Sequence, residues 1–412
     1  VKQTAYVAGV GMTPFGNAMD KTLNELAASS ILDAIKDAGI TKEDLNAAYM
    51  GNAAGGVITG QVCVPGQVAL RSMGISKIPV VNIENACATS ATAFQQACTM
   101  VTLGVYDVVL VCGYEKLYHE DKNKTFSVFT GAIDVTQTEA IAARLKARND
   151  LIGESLDMSG AGSSRSIFID IYATWAREHM HLYGTTREQL AAVSAKNSVH
   201  GSLNPKSQFQ NVVSVEEVLS AREIVSPLTL PMCAPIGDGA ASVIVVSERM
   251  AKKLGKKRCI RVNASNLHSG WDAEEGETPM VTTAVTELYE QAGLGAEDLN
   301  CVELHDASAI SEIKYYEYLG LCETGAGGDY VLSGASSLGG KVPVNTSGGL
   351  MRKGHPIGAT GAAQIVELVM QLRGEAGKRQ VSGARVALAE NGGGYIGTDA
   401  AALVLSILSK EE

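Results

Sequence analysis

The sequence predicts an α/β protein of two similar βαβ-rich halves, with a lobe inserted in the first. Three observations carry that class. First, short apolar runs alternate with segments of helical periodicity; residues 106–112, YDVVLVC, read as a strand buried on both faces of a parallel sheet. Second, AGITKEDLN at 38–46 returns as AGLGAEDLN at 292–300, each copy after an amphipathic helix and before a short strand. Another pair follows in the same order: Cys87-Ala-Thr-Ser-Ala and Gly358-Ala-Thr-Gly-Ala each open a helix that leads to a strand, at 108–112 and 386–389. Third, between about 114 and 239 charged residues become dense and the periodicity irregular, and the core pattern resumes only at 240–246, AASVIVV. The expected division is a first half at 1–255, carrying the insertion at about 114–239, and a second half at 256–412.

Taken in order, residues 4–10 are a β-rich run. Residues 22–38 place Leu23, Leu26, Ala27, Ile31, Leu32 and Ile35 on one helical face, and Gly39 closes that helix. A short strand at 47–50 leads to a glycine-rich turn at 51–60 and a helical stretch at 62–73 that contains a proline. Residues 78–102 read as strand, tight turn and helix, with Cys87 at the turn. A thiol at a helix start meets the positive end of the dipole, which favours the thiolate and lowers the pKa. Cys87 is therefore read as a nucleophile, although an isolated cysteine is more often a buried structural one. In the inserted lobe, 167–183, 186–200 and 215–221 read as helices.

Composition narrows the function. A net charge of −10 argues against a nucleic-acid partner. An anionic small molecule stays open, because a local basic patch suffices to bind one. The eight cysteines are scattered without a CxxC pair, so reduced thiols are expected and no metal site. No run approaches the roughly 18 apolar residues of a membrane span. The opening residues enter a strand at once and carry no signal-peptide pattern. A soluble, cytoplasmic protein is expected.

Three motifs stand at strand ends, where open α/β sheets form their sites. Glu303-Leu-His-Asp-Ala-Ser308 follows a short strand and projects His305. The glycine-rich run 345–361, NTSGGLMRKGHPIGATG, holds His355 between a glycine and a proline; such a backbone turns tightly or approaches a ligand closely. Glu390-Asn-Gly-Gly-Gly-Tyr395 can offer backbone N–H groups to an oxyanion. A thiol, two histidines and N–H donors together suit acyl transfer.

These residues resemble the thiolase family, most closely its sterol-carrier-protein-type and archaeal-type branch, over essentially the whole chain. The resemblance rests on ENACATS at 84–90, LHD at 304–306 and the 345–361 run, with NPKSQFQ at 204–210 and CAPIGDGAAS at 233–242 in the inserted lobe. It implies a five-layered α-β-α-β-α thiolase fold with an inserted loop domain. It also implies an acyltransferase: coenzyme A-dependent thiolytic cleavage of a 3-oxoacyl-CoA, or the reverse Claisen condensation, through an acyl-cysteine. Coenzyme A is then a co-substrate, no cofactor is covalently bound, and fatty acid or aromatic degradation is the setting. The chain is expected as a homodimer or higher oligomer. Members of this branch often work with a small partner that carries a zinc ribbon and an oligonucleotide-binding-type fold.

By the same resemblance, Cys87 accepts the acyl group, His355 activates it, and His305 polarises the thioester oxygen in one oxyanion hole. The other hole uses the N–H groups of Cys87 and Gly393, with Gly392 as the alternative register. Ser347, Gly348 and Asn391 are expected against the substrate or coenzyme A. Lys122, Lys124, Arg144, Lys146, Arg148 and Arg165 are candidates for its phosphates. Two departures stand out. The family's second cysteine falls on Asn391, or on Glu390 in the other register, and the cysteine that can follow the His-Asp pair is Ala307. His305, a water or Cys233 is left for that proton transfer. Ser308 replaces a usual phenylalanine, which suggests a roomier pocket for a branched or aromatic acyl chain. The alternatives are a decarboxylating ketoacyl-synthase-like condensing enzyme, and a weakly active scaffold or subunit of an acyl-CoA complex.

Overall fold

A computed structural model describes residues 3–162, 164–272 and 277–411. Its strands are β1 (Ala5–Met12), β2 (Ala47–Gly51), β3 (Val80–Ile83), β4 (Val108–Glu115), β5 (Glu223–Val225), β6 (Leu228–Thr229), β7 (Gly239–Ser247), β8 (Ile260–Ser269), β9 (Cys301–Glu303), β10 (Val386–Gly393) and β11 (Ala402–Ser409). Nine of them form a single sheet in the order β3-β2-β4-β7-β1-β8-β11-β10-β9, and β5 pairs with β6 alone. The duplication is visible in that order. β3-β2-β4-β7-β1 is mirrored by β9-β10-β11-β8, and Val344 bridges Val302 of β9 in parallel, in the place that β3 holds beside β2. The halves join where Tyr6 and Val7 of β1 pair with Arg261 and Ile260 of β8.

The sheet is mixed, not all parallel as the apolar runs suggested. β2 is parallel to β3 and β4, and β10 is parallel to β9, because helices make those crossovers. β7 and β11 run antiparallel to β4 and β10. The short 394–401 connection allows only an antiparallel return, and the long insertion replaces a crossover helix before β7.

Alternation along the strands sorts the layers. Val109 and Val111 of β4, with Val243 and Val245 of β7, face the helices Thr89–Thr102 and Thr360–Arg373 in the middle of the molecule. Val108, Leu110 and Cys112, with Ile244 and Val246, face the helix Leu23–Ala38 on one outside. Leu403, Leu405 and Ile407 of β11 face the helices Met280–Ala292 and Ala309–Tyr318 on the other. These are the five layers. Leu23–Ala38 is fixed by a Thr22/Glu25 capping box and a left-handed Gly39. Leu32, counted on its apolar face, is exposed.

Between β4 and β7 the chain forms the helices Lys122–Thr130, Thr138–Leu151, Ile167–Tyr183, Arg187–Ser202 and Val215–Ser220. The first two escape a reading by periodicity because each buries so few side chains, Thr125 and Val128 in the first and Ile141, Leu145 and Asn149 in the second. Among the described residues, no helix is long and apolar enough to cross a membrane.

Candidate active site

The nucleophile unit begins where β3 ends. Ala86 takes φ +48°, a conformation uncommon for a residue with a Cβ, and local hydrogen bonds hold it there. The Ala86 N–H donates to Glu84 Oε1 at 2.6 Å. Thr89 Oγ1 accepts the Asn85 N–H at 2.8 Å and donates to the Ala86 carbonyl at 2.6 Å. Cys87 thus sits in a 3₁₀ turn, Ala86–Ala88, just ahead of the helix Thr89–Thr102.

The second half brings His355 to it, with Nε2 at 3.3 Å from Cys87 Sγ. The other ring nitrogen, Nδ1, is 2.7 Å from Thr360 Oγ1. Thr360 donates its only hydroxyl proton to the Pro356 carbonyl at 3.1 Å. With that proton on Pro356, the network assigns the imidazole proton to Nδ1, donated to Thr360, and the Nε2 lone pair to the thiol. The loop is anchored to the first half as well. Glu115, at the end of β4, accepts the N–H groups of Gly358 at 3.0 Å and of Ala53 and Ala54 at 3.1 Å.

His305 comes from the loop after β9. Its backbone N–H donates to Glu390 Oε2 at 2.9 Å, and the preceding Leu304 N–H donates to Asn345 Oδ1 at 2.8 Å. Asp306 accepts from Leu350 N–H at 2.7 Å and from the Asn197 amide at 3.0 Å. Asn197 and Asn345 also donate to Glu312, which pairs with Lys196. This buried network ties the His305 loop, the run before His355 and a lobe helix into one support. The His305 ring stands edge-on to His355 with centroids 5.2 Å apart. Sγ of Cys87 and one nitrogen of each histidine lie within 4.8 Å of one another.

Electrostatics correct one expectation. Burial, with the Glu115 and Glu84 charges adding to it, pushes the Cys87 thiol up to about 12, against the pull of the Gly394 and Cys87 N–H groups. Burial holds His355 well below the usual histidine range, with His305 and Lys353 adding to it, and lowers His305 to about 4. For the partly buried Cys87 and the two buried histidines these shifts favour a neutral thiol beside neutral imidazoles. Cys87 lies in the 3₁₀ turn ahead of the helix Thr89–Thr102, outside its first turn, and loss of hydration is the largest cause of the shift. Deprotonation therefore belongs to the act of attack, with His355 Nε2 as the acceptor.

Two cavities meet at Cys87. The larger, about 350 Å³, is bounded by Cys87, His305 and His355 and walled by Phe126, Phe129, Phe168 and Tyr172. Arg165 and the exposed Arg222 also line it, with Arg165 paired to Asp170 at 2.6 Å. The other five proposed phosphate cations do not reach this cavity; Arg148 pairs with Glu178 at 2.5 Å. The smaller, about 50 Å³, is lined by Cys87, His305, Tyr315 and Gly392, Gly393 and Gly394.

The structure brings Cys87, His305, His355 and Gly393 together and leaves three expected residues apart. The N–H groups of Gly394 and of Cys87 itself act on the Cys87 sulfur, and Gly393 lines the smaller cavity beside them. Gly393 packs its α-carbon so tightly that a Cβ there would lie 2.3 Å from the Asn85 carbonyl. Ser347 is fully buried, with its N–H and hydroxyl given to Glu303 at 3.0 and 2.5 Å. Gly348, at φ +100°, is packed on the Gly201 backbone. Asn391 is buried where Gly361 meets β10, and a Cβ on Gly361 would lie 2.8 Å from its Oδ1. None of the three lines the cavities at Cys87. Ala307 and Cys233 do line the larger cavity, whereas Ser308, expected to enlarge it, is buried, bridged to Cys233, and is not among its walls. Sequence reasoning missed Thr360, Tyr315 and Gly394. Thr360 had a signal: it is the duplicate of Thr89, and both hydroxyls bond a carbonyl three or four residues back.

Comparison with known proteins agrees with this geometry. Residues 5–249 match the family model of the thiolase N-terminal domain, and 267–407 match that of a thiolase C-terminal domain-like segment. The chain is 37% identical to acetyl-CoA acetyltransferase of Methanothermobacter thermautotrophicus over 399 residues, 96% of this chain and 97% of that one. It is 36% identical to benzoylsuccinyl-CoA thiolase subunit BbsB of Thauera aromatica, with 96% of each covered. Human sterol carrier protein 2 is 35% identical, with 94% of this chain and 69% of that one covered. Among solved structures, the Ltp2-ChsH2(DUF35) aldolase superposes with a TM-score of 0.77 at 24% identity, covering 99% and 98% of the two chains. Human mitochondrial 3-ketoacyl-CoA thiolase in complex with CoA gives 0.66 at 16% identity, covering 100% and 98%. Matched in both halves, and more than a third identical to two relatives along nearly their whole length, the chain belongs to the thiolase family of acyltransferases.

Proposed function

We propose that the chain cleaves a 3-oxoacyl-CoA with coenzyme A, or runs the reverse condensation, with a bulky aromatic or branched acyl group carried on Cys87. One observation carries the reading: the bare Nε2 of His355 faces the Cys87 thiol at 3.3 Å on the wall of a cavity lined by aromatic side chains. His355 takes the thiol proton as the sulfur attacks the 3-keto carbon. The N–H groups of Cys87 and Gly394, with Gly393 beside them, receive the oxyanion. The Cα–Cβ bond then breaks, and the departing enolate oxygen is held by the N–H of neutral His305. Free coenzyme A attacks the acyl-cysteine and releases the shortened acyl-CoA. Arg222 suits a phosphate or a second carboxylate at the cavity rim.

The similar Thauera protein is a named subunit, and the Ltp2 structure joins that chain to a second protein, so a small partner subunit belongs to the reading. A reducing, cytoplasmic setting fits eight cysteines that are all free. The test is a panel of linear, branched and aryl 3-oxoacyl-CoA thioesters, assayed for coenzyme A-dependent cleavage with the chain alone and with co-purified partners. The aryl and branched members are cleaved fastest, and Cys87→Ser abolishes turnover. Full activity in Cys87→Ser overturns the reading.

A further inference from the structure

The family's usual second cysteine is missing, yet the departing α-carbon must be protonated. Beside His305 stands a group that fits. Glu390, near the end of β10, is fully buried, and its Oε2 accepts the His305 backbone N–H at 2.9 Å. Tyr315 and the Gly392 N–H lie near the carboxyl and favour its charged form, against the effect of burial. Its second oxygen, Oε1, has no hydrogen-bond partner among the described residues, and neither has Nε2 of His305. A fully buried carboxyl oxygen left unpaired costs free energy unless another molecule uses it.

The Oε1 of Glu390 lies beside Gly392. An atom placed on the Gly392 α-carbon would lie 3.6 Å from Glu390 Oε1 and 3.9 Å from His305 Nδ1, in ordinary contact and without a clash. Gly392, His305 and Tyr315 all line the small cavity at Cys87. Glu390 itself lines neither cavity at Cys87; with glycine at 392, no side chain stands between its Oε1 and the wall of the small one. Burial also pushes the Glu390 carboxyl up to about 7, so that near neutrality it can both give and take a proton. Cys233, the other candidate, has its thiol pushed up to about 12 and turned to the Thr229 carbonyl at 3.7 Å.

We propose that Glu390 is the acid and base that serves the substrate's α-carbon, acting across the bare face of Gly392 in place of the missing cysteine. The assignment rests on the thiolase reading above. When the Cα–Cβ bond breaks, its electron pair passes to the acyl-CoA enolate. The Glu390 acid O–H breaks, a C–H bond forms at the α-carbon, and a carboxylate remains. As the coenzyme A sulfur attacks the acyl-cysteine, that carboxylate takes the thiol proton. The tetrahedral adduct collapses, the Cys87–acyl bond breaks, and the Cys87 sulfur recovers its proton from the His355 imidazolium. Both proton carriers end as they began.

The experiment compares wild type, Glu390→Gln and Glu390→Asp by two readouts. One is exchange of the α-hydrogens of acetyl-CoA in D₂O, followed by mass. The other is alkylation of Cys87 by iodoacetamide, which reports the Cys87–His355 pair without any α-carbon chemistry. Glu390→Gln loses exchange by about 100-fold or more, Glu390→Asp keeps an intermediate rate, and alkylation is unchanged in both. Exchange that persists in Glu390→Gln, or is absent from the wild type, overturns the assignment. So does parallel loss of alkylation in both variants, which makes Glu390 a support for the fold only. Wild-type exchange with no cleavage of any 3-oxoacyl-CoA overturns the thiolase reading and leaves the role of Glu390 standing.

Discussion

Thr360 decides which nitrogen of His355 can take a proton. Its own proton is spent on Pro356, so it can only accept from Nδ1. Thr360→Val removes the acceptor and frees the imidazole to adopt the wrong tautomer. We expect kcat/KM to fall by about 100-fold while the fold is kept, and Thr360→Ser to restore most of it; steady-state kinetics on both variants check this. The neutral Cys87–His355 pair gives a second expectation. With the thiol pushed up to about 12, the thiolate fraction climbs with pH right through the neutral range. Alkylation of Cys87 should therefore rise from pH 6 to pH 10 without levelling off, and a plateau near pH 7 would reveal a preformed ion pair instead. Glu390 gives a third, with the sign set by its raised pKa. A carboxyl held at about 7 in the fold but near 4.5 in the unfolded chain adds its full stability below pH 4.5 and loses it as pH rises through 7. Glu390→Gln should therefore gain on the parent at pH 8 relative to pH 5, by up to about 3 kcal/mol; denaturant titrations at the two pH values read the difference. Cys87, His305 and His355 were legible in the sequence because short motifs at strand ends carry them. The pKa of Cys87 was not, since loss of hydration is its largest cause and is a property of the assembled site.

At the scale of elements, the two duplicated helices meet at their starts, and glycine makes the meeting possible. A Cβ on Gly361 would lie 2.5 Å from the Ala91 N and 2.6 Å from its Cβ; one on Gly358 would lie 2.8 Å from Glu115 Oε2. The glycine-rich run thus answers the other half of the molecule more than a ligand. Gly361→Ala must push Thr360–Arg373 away from Thr89–Thr102, at a cost of about 1–3 kcal/mol, and must lengthen the Cys87–His355 distance. The denaturation midpoint and the alkylation rate of Cys87 should fall together. Gly39→Ala is the control: its φ is +66° with nothing within 4 Å, so it loses stability and leaves alkylation untouched. The duplication itself was readable from AGITKEDLN and its copy, and the strand order bears it out. The mixed sheet was not readable, because an apolar run at 240–246 looks the same in either strand direction. The helices Lys122–Thr130 and Thr138–Leu151 were hidden for another reason: they present little apolar surface, so their periodicity never rises above the background.

At the scale of the whole molecule, the two ends of the nine-stranded sheet differ. β9 is flanked by Val344, whereas among the described residues β3 has no strand on its outer side. Val81 of β3 is 41% exposed, and Val57, Val62 and Val64 beside it are exposed too. A free edge carrying apolar side chains is a liability in a monomer unless something covers it. The cover we propose, following the expected homodimer, is a second copy of the same edge, antiparallel across a twofold axis, because a self-complementary strand pair closes the assembly at two chains. This dimer would also bear on catalysis. β3 leads directly into the strained Ala86 turn that aims Cys87, so pairing at β3 stiffens the segment that carries the nucleophile. A charge at Val81 tests both statements at once. Val81→Glu sets like charges against each other across the twofold axis, and sedimentation should shift from dimer to monomer. If pairing fixes the turn, the monomer keeps its fold by circular dichroism but alkylates Cys87 more slowly and cleaves thioesters poorly. Raising the protein concentration should recover part of both. A Val81→Glu protein that remains dimeric moves the interface elsewhere. One that is monomeric with full activity separates the assembly from the chemistry, and leaves Glu84, Thr89 and Asn85 as sufficient support for the turn.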